Sequence, residues 1–104
     1  MSRDDLEKIV ELEIHLVTER LHEQEIVLHV DASAKEFLLE KGFDPVFGAR
    51  PLKRVIQRFL EDPLAEEVIA KRFKVGAPIR VFRKGERLEF EGEPAVQQHE
   101  ASTN

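Results

Sequence analysis

The chain has 104 residues, of which 41% are hydrophobic and 36% charged, and its formal net charge is −5. This length suits one domain with a modest core, and the absence of cysteine excludes disulfides, thiolate metal sites and a cysteine nucleophile. The acidic balance argues against nucleic acid as the main partner. With no signal-peptide core and no apolar run of about 18 residues, we expect a cytoplasmic protein that does not bind a membrane.

The first two elements follow from apolar spacing. Residues 3 to 24 are predicted to form a long amphipathic helix, because apolar residues recur at helical intervals. The stripe comprises Leu6, Val10, Ile14, Val17 and Leu21, widened by Ile9, Leu12 and Leu16. Residues 25 to 30 then alternate, with Ile26, Leu28 and Val30 on one side, which is typical of a short strand.

Two further helices are separated by a compact turn. Asp31 or Ser33 can cap the second helix, and Ser33 has capping-box spacing to Glu36. That helix is predicted to stop at Gly42, the residue type expected just past a helix end. After the turn "FDPVFGA", Pro51 fits the first turn of a third helix.

The third helix has a clear apolar stripe, made of Leu52, Val55, Ile56, Phe59 and Leu60. Pro63 is predicted to break or kink it, and a fourth helix should run from Leu64 to about Arg72. Alternation from residue 79 to 92 around Lys84-Gly85 predicts a β-hairpin.

The order α-β-α-α-α-β-β predicts an α+β domain, with helices packed on one face of a small three-stranded sheet. We assign residues 1–91 to this domain and predict a disordered tail at 92–104, which has almost no apolar content. The predicted core positions are Leu6, Val10, Ile14, Phe37, Leu38, Leu52, Val55, Ile56, Phe59, Val81 and Phe90.

Most candidate chemical groups favour an ordinary surface role. His15, His22 and His29 recur every seven residues, but two helical turns separate the first two by roughly 10 Å, too far for one metal ion. We therefore predict no metal site. Lys53, Arg54, Gln57 and Arg58 form a basic helix face, for which a solvated face paired with glutamates is favoured over phosphate binding. No nucleophile–base grouping or phosphate loop of the Walker type is visible, so independent catalysis is not expected.

Arg50 is the exception. It follows the small residues Gly48 and Ala49, and it precedes Pro51 at the start of a helix, where the helix dipole disfavours a cation. An anion would gain there from free N–H groups and from a planar, permanently charged guanidinium. The residues themselves leave two interpretations open, a phosphate-binding arginine and an arginine salt-bridged to a nearby acid.

The stretch "GFDPVFGARPLKRVIQRFLEDPLAEEVIA" closely resembles the C-terminal small (lid) subdomain of the second ATPase module of Clp-family AAA+ proteins, of the ClpA, ClpB and ClpC type. The resemblance covers roughly residues 3 to 91. It implies that Arg50 is the sensor-II arginine, which reaches the γ-phosphate of ATP bound, with Mg²⁺, in the preceding large subdomain. Gly48, Ala49 and Pro51 would form the supporting turn.

The resemblance also implies partners. These are the large subdomain of the same chain and that of a neighbouring subunit in a hexameric ring, together with polypeptide substrates; a protease partner is left open. The Walker motifs, the arginine finger and the pore loop belong to the large subdomain and do not occur in this sequence. We therefore expect a piece of a larger ATPase that is inactive alone. The alternative is a stand-alone interaction or assembly module with no nucleotide role.

Overall fold

The computed structural model describes residues 2–95, in which four helices and three strands follow the predicted order. Within these residues, no helix has the length and apolar character that crossing a membrane requires. The helices are α1 (Arg3–His22), α2 (Ala32–Gly42), α3 (Leu52–Ile56) and α4 (Asp62–Ile69), and the strands are β1 (Val27–Val30), β2 (Pro78–Lys84) and β3 (Arg87–Gly92).

The three strands form one mixed sheet in the order β1-β2-β3. Strand β1 is parallel to β2, with Leu28 opposite Ile79, and β2 is antiparallel to β3, with Val81 opposite Phe90. The predicted hairpin is confirmed, and Gly85 in its two-residue turn adopts φ of +65°. The α+β prediction is therefore confirmed.

The core lies between the helices and one face of the sheet, because alternate strand residues such as Leu28, Ile79 and Val81 are buried. The predicted core positions are buried with three exceptions: Val55, Phe59 and Phe90 are half-buried and pack against its margin. The core also contains residues that the prediction omitted, namely Val17, Leu28, Ala34, Leu39, Leu60, Leu64, Ile79 and Leu88.

The apolar stripe of α1 is narrower than predicted. Leu12 and Leu16, which were expected to widen it, are exposed to solvent. The helix begins with a capping box: the Asp5 N–H donates to Ser2 Oγ at 3.1 Å, and the Ser2 N–H donates to Asp5 Oδ2 at 3.2 Å. Strand β1 starts two residues later than predicted, since Glu25 adopts φ of +65° in the turn that follows α1.

Asp31, rather than Ser33, is the N-cap of α2, and its Oδ1 accepts the Ala34 N–H at 3.0 Å. The Ser33 hydroxyl serves tertiary structure instead, because it accepts the Arg83 N–H of β2 at 2.9 Å. Glu36 forms an ion pair with Arg3 of α1. The capping-box spacing from Ser33 to Glu36 therefore did not indicate a capping box.

Pro63 was predicted to break or kink the helix, and the structure shows no break. Helix α3 continues through a π-helical turn, Gln57–Glu61, directly into α4. The Asp62 N–H bonds to the Gln57 carbonyl, five residues back instead of four. A proline in an α-helix normally clashes with the carbonyl four residues before it, and we attribute its tolerance here to this wider turn.

The C-terminal end of the described chain is held against the segment after α4. Strand β3 includes Gly92, where the predicted tail was to begin. The Lys74 N–H donates to the Glu93 carbonyl at 2.9 Å, and the Ala95 N–H donates to the Arg72 carbonyl at 3.0 Å. Residues 96–104, the rest of the predicted tail, lie outside the described residues.

Candidate functional site

The turn before α3 is a closed loop held by hydrogen bonds. Asp44 and Gly48 form an isolated β-bridge, with N–H to carbonyl distances of 2.8 and 2.7 Å in the two directions. The Asp44 side chain also accepts the N–H groups of Val46 at 2.7 Å and Phe47 at 2.9 Å. Gly48 adopts φ of +65°, which glycine tolerates best. The loop geometry is therefore determined by its own residues.

The two ends of this loop are joined by a close approach between α2 and α3. Gly42 is the last residue of α2 and is buried, and it does not adopt the left-handed conformation that a residue past a helix end often has. A Cβ atom at this position would lie 2.6 Å from Leu52 Cδ1. The helix ends at Gly42 as predicted, but glycine is favoured here by packing and not because it lies just past the helix end.

Arg50 projects from this loop into solvent. Pro51 follows it as the N-cap residue of α3, as predicted for the start of that helix, and the Leu52 N–H closes the turn on the Ala49 carbonyl at 3.0 Å. The Arg50 guanidinium carbon lies 5.8 Å from the centroid of the Phe47 ring. Within residues 2–95, Arg50 forms no ion pair with a carboxylate, so the salt-bridged interpretation does not describe this structure.

The basic helix face is solvated, as expected, but it is not paired with glutamates. Lys53, Arg54 and Arg58 are exposed, and within the described part of the chain none of the three forms an ion pair. The Arg58 guanidinium instead lies 5.2 Å from the centroid of the Phe59 ring. Positive charge is therefore concentrated between residues 50 and 58 and has no ion-pair partner within residues 2–95, in a protein that is acidic as a whole.

An exposed apolar patch accompanies Arg50 on the same loop. Phe43 is 41% exposed, Val46 81% and Phe47 57%. Large apolar side chains grouped on a surface often mark a contact site. The loop thus combines an unpaired guanidinium with an apolar surface.

The three histidines are not brought together. His15 and His22 lie on α1 and His29 on β1, all exposed, and His15 Nε2 is 3.2 Å from Glu19 Oε2. Across residues 2–95 the structure contains no cluster of three histidine or carboxylate side chains that could hold a metal ion.

Sequence reasoning missed two residues of this site. It quoted Asp44 and Phe47 in the turn without giving either a role, yet Asp44 closes the loop and Phe47 contacts Arg50. The Asp-Pro pair was an available signal for the first, because an aspartate side chain commonly accepts N–H groups two and three residues later. The contact between the ring and the guanidinium has no such local signature.

Fold and site together define a small α+β domain that presents an arginine from a closed loop at the start of a helix. The chain belongs to the family described as the C-terminal, D2-small domain of ClpB protein, whose model matches residues 1–81. It is 42% identical over 94 residues to a chaperone protein ClpB of Rhodopseudomonas palustris, covering 90% of this chain and 11% of that protein.

Other relatives show the same relation. A chaperone protein ClpB of Meiothermus ruber is 43% identical over 96 residues, which is 92% of this chain and 11% of that protein. Chaperone protein ClpB 1 of Synechococcus elongatus is 44% identical over 90 residues, which is 86% of this chain and 10% of that protein. The chain therefore spans about a tenth of the length of the curated relatives it matches.

Proposed function

We propose that this domain is the lid of an ATP-dependent Clp-type protein unfoldase, and that Arg50 is its sensor-II residue. The observation that carries the proposal is the state of Arg50, which is exposed, lacks a carboxylate partner within residues 2–95, and is held at a helix start by a closed loop. Membership of the ClpB D2-small family supports this assignment.

The residues of the loop suit a phosphate group. A guanidinium presents its N–H groups as a planar fork that can bind two phosphate oxygens. Gly48 and Ala49 lack bulky side chains, which would allow the backbone to come close to the nucleotide. ATP, with Mg²⁺, would be held mainly by the large subdomain and would supply the phosphoryl group for transfer.

Arg50 would contribute in two ways. Its fixed positive charge stabilises negative charge that develops during phosphoryl transfer, provided that the side chain is already aimed at that position. Because the contact requires the γ-phosphate, it is lost after hydrolysis, so the lid would be released and would move. The closed loop makes Arg50 move together with α3, and this links lid position to nucleotide state.

The exposed apolar patch of Phe43, Val46 and Phe47 would face the large subdomain of the same chain, while other surfaces of the lid would contact a neighbouring subunit of a hexameric ring. Polypeptide substrates would be handled by the complete cytoplasmic protein, with or without a protease. The same patch also suits the alternative of a stand-alone interaction module, in which Arg50 would have no nucleotide role.

A chimera of the Meiothermus ruber ClpB, in which this chain replaces the corresponding C-terminal segment, provides the test. Arg50→Ala should lower kcat for ATP hydrolysis by up to roughly a hundredfold, the lower end of what one preorganised donor contributes. Arg50→Lys should restore little, because lysine lacks the planar fork. Thermal melts should shift by no more than a few degrees, since an exposed arginine contributes little stability.

Arg54→Ala is the matched control, because Arg54 is also exposed and lacks an ion pair within residues 2–95. Its ATPase rate should stay near that of the unsubstituted chimera. Unchanged turnover in Arg50→Ala would refute the sensor assignment and favour the interaction module. A collapsed melting point with a proportionate loss of activity would make Arg50 a structural residue.

A further inference from the structure

The arginines of this chain fall into two groups. Outside residues 50–58, every arginine of the described chain forms an ion pair with a carboxylate: Arg3, Arg20, Arg72, Arg80, Arg83 and Arg87. Arg50 does not, and its guanidinium lies over the ring of Phe47 instead. Within residues 2–95, the Phe47 ring is therefore a contact available to orient the Arg50 guanidinium.

The nearest acid in sequence is already engaged by the backbone. Asp44 Oδ1 accepts the N–H groups of Val46 and Phe47. These bonds engage Oδ1 and make the carboxylate part of the loop. The acid of this turn therefore holds the backbone at Phe47, and within residues 2–95 it forms no ion pair with Arg50.

The main chain also holds the backbones of Phe47 and Arg50 close together. The Arg50 N–H donates to the Phe47 carbonyl at 3.2 Å, and the bridge between Asp44 and Gly48 closes the loop that contains Phe47. Phe47 is 57% exposed, so the ring contributes little to the core.

We propose that Phe47 is a positioning residue for Arg50. The ring attracts the guanidinium through its π-electron face and carries no formal charge. A cation–π contact uses the face of the guanidinium, whereas phosphate is bound by the N–H groups at its edge, in the guanidinium plane. Phe47 would thus orient Arg50 without competing for its hydrogen bonds. The inference rests on the proposed sensor function.

Nuclear magnetic resonance on this chain tests the contact directly. If the ring lies over the guanidinium, the Hδ and Hε protons of Arg50 experience a ring current and resonate upfield of those in exposed arginines such as Arg54. Phe47→Leu should abolish this shift and Phe47→Tyr should retain it. Phe43→Leu, an exposed aromatic residue of the same loop, is the matched control and should leave it intact. Unchanged Arg50 resonances in Phe47→Leu would overturn the inference.

A double-mutant cycle in the ATPase chimera tests the consequence. Exposed cation–π contacts correspond to a factor of about two to five, so Phe47→Leu should lower kcat by that factor with KM nearly unchanged. The effect should vanish when Arg50 is already alanine, because the two residues act together. The effect of Phe43→Leu should be equal in both backgrounds.

The outcomes separate the two proposals. Wild-type turnover in Arg50→Ala would refute the sensor function itself. A large loss in Arg50→Ala, together with an effect of Phe47→Leu that is absent or is the same in both backgrounds, would leave the sensor function standing and refute the positioning role. A loss in Phe47→Leu that disappears in the Arg50→Ala background supports both.

Discussion

Replacing Gly42 by alanine tests whether the close approach of α2 and α3 defines the loop that carries Arg50. The added Cβ would lie 2.6 Å from Leu52 Cδ1 and 3.2 Å from Leu52 Cα, both shorter than the 3.4 Å at which ordinary contact begins. Overpacking of this kind typically costs about 1–3 kcal/mol. Alanine recovers at most about 1 kcal/mol of helix propensity. We expect the free energy of unfolding to fall by up to about 2 kcal/mol.

Urea denaturation of the chain, followed by circular dichroism, measures this change. In a thermal melt of the same variant, a loss of one kcal/mol corresponds to a decrease in Tm of about 4–8 °C for a domain of this size. In a Leu52→Ala background the clashing Cδ1 is absent and only the longer contacts to Cα and Cβ of residue 52 remain, so the same substitution at Gly42 should cost clearly less. If Gly42→Ala instead stabilised the otherwise unsubstituted chain by about 1 kcal/mol, helix propensity would decide the position and the packing argument would be wrong.

Two further predictions concern the core margin and the N-cap of α2. Phe59→Ala should destabilise the domain by about 3 kcal/mol, the low end for phenylalanine because the ring is half-buried. The edge-to-face contact with Phe37, whose ring centroid is 5.1 Å away, is part of that loss. An unchanged melting midpoint would contradict the placement of Phe59 at the margin of the core. At Asp31, partial burial raises the pKa, but hydrogen bonds from Ser33 and the backbone and the charge of Arg80 outweigh it and lower the pKa below its ordinary value. The stability that the ionised carboxylate contributes is therefore fully present above about pH 4 and is lost as the pH falls through the lower folded-state pKa. Asp31→Asn should consequently lose less stability below pH 4 than the unsubstituted chain does. Superimposable acid-unfolding curves of the two proteins would refute this.

Most of the fold could be predicted because local patterns and tertiary packing agree. The helical stripe through Val10 and Ile14, the alternation of Ile79 and Val81, and the turn at Gly85 each specify one kind of element. Where prediction failed, tertiary packing decided the outcome. Leu12 fits the helical period, yet no element within residues 2–95 covers it and it remains exposed.

At Pro63 tertiary packing keeps a helix where the local sequence predicts a break. Propensity alone predicts a break, because it counts the missing N–H and the clash of an ideal α-helical turn. The buried positions Leu60 and Leu64, on either side of the proline, keep the segment packed on the core. The backbone then widens into a π turn and remains helical. A sequence pattern does not include the packing of Leu60 and Leu64 on the core, so it does not predict the π turn.

Some features of the candidate site follow from the local sequence, and others depend on tertiary packing. The sequence by itself determined that Arg50 follows a glycine-containing turn and comes just before a helix, because glycine permits tight turns and proline favours the start of a helix. Only the tertiary structure decided that Gly42 must be small, since Leu52 from the next helix occupies the space beside it. It also decided that Arg50 has no carboxylate partner within residues 2–95 and lies over Phe47. The identity of a side chain's neighbours depends on which elements the packed chain brings together, and residue order does not contain that information.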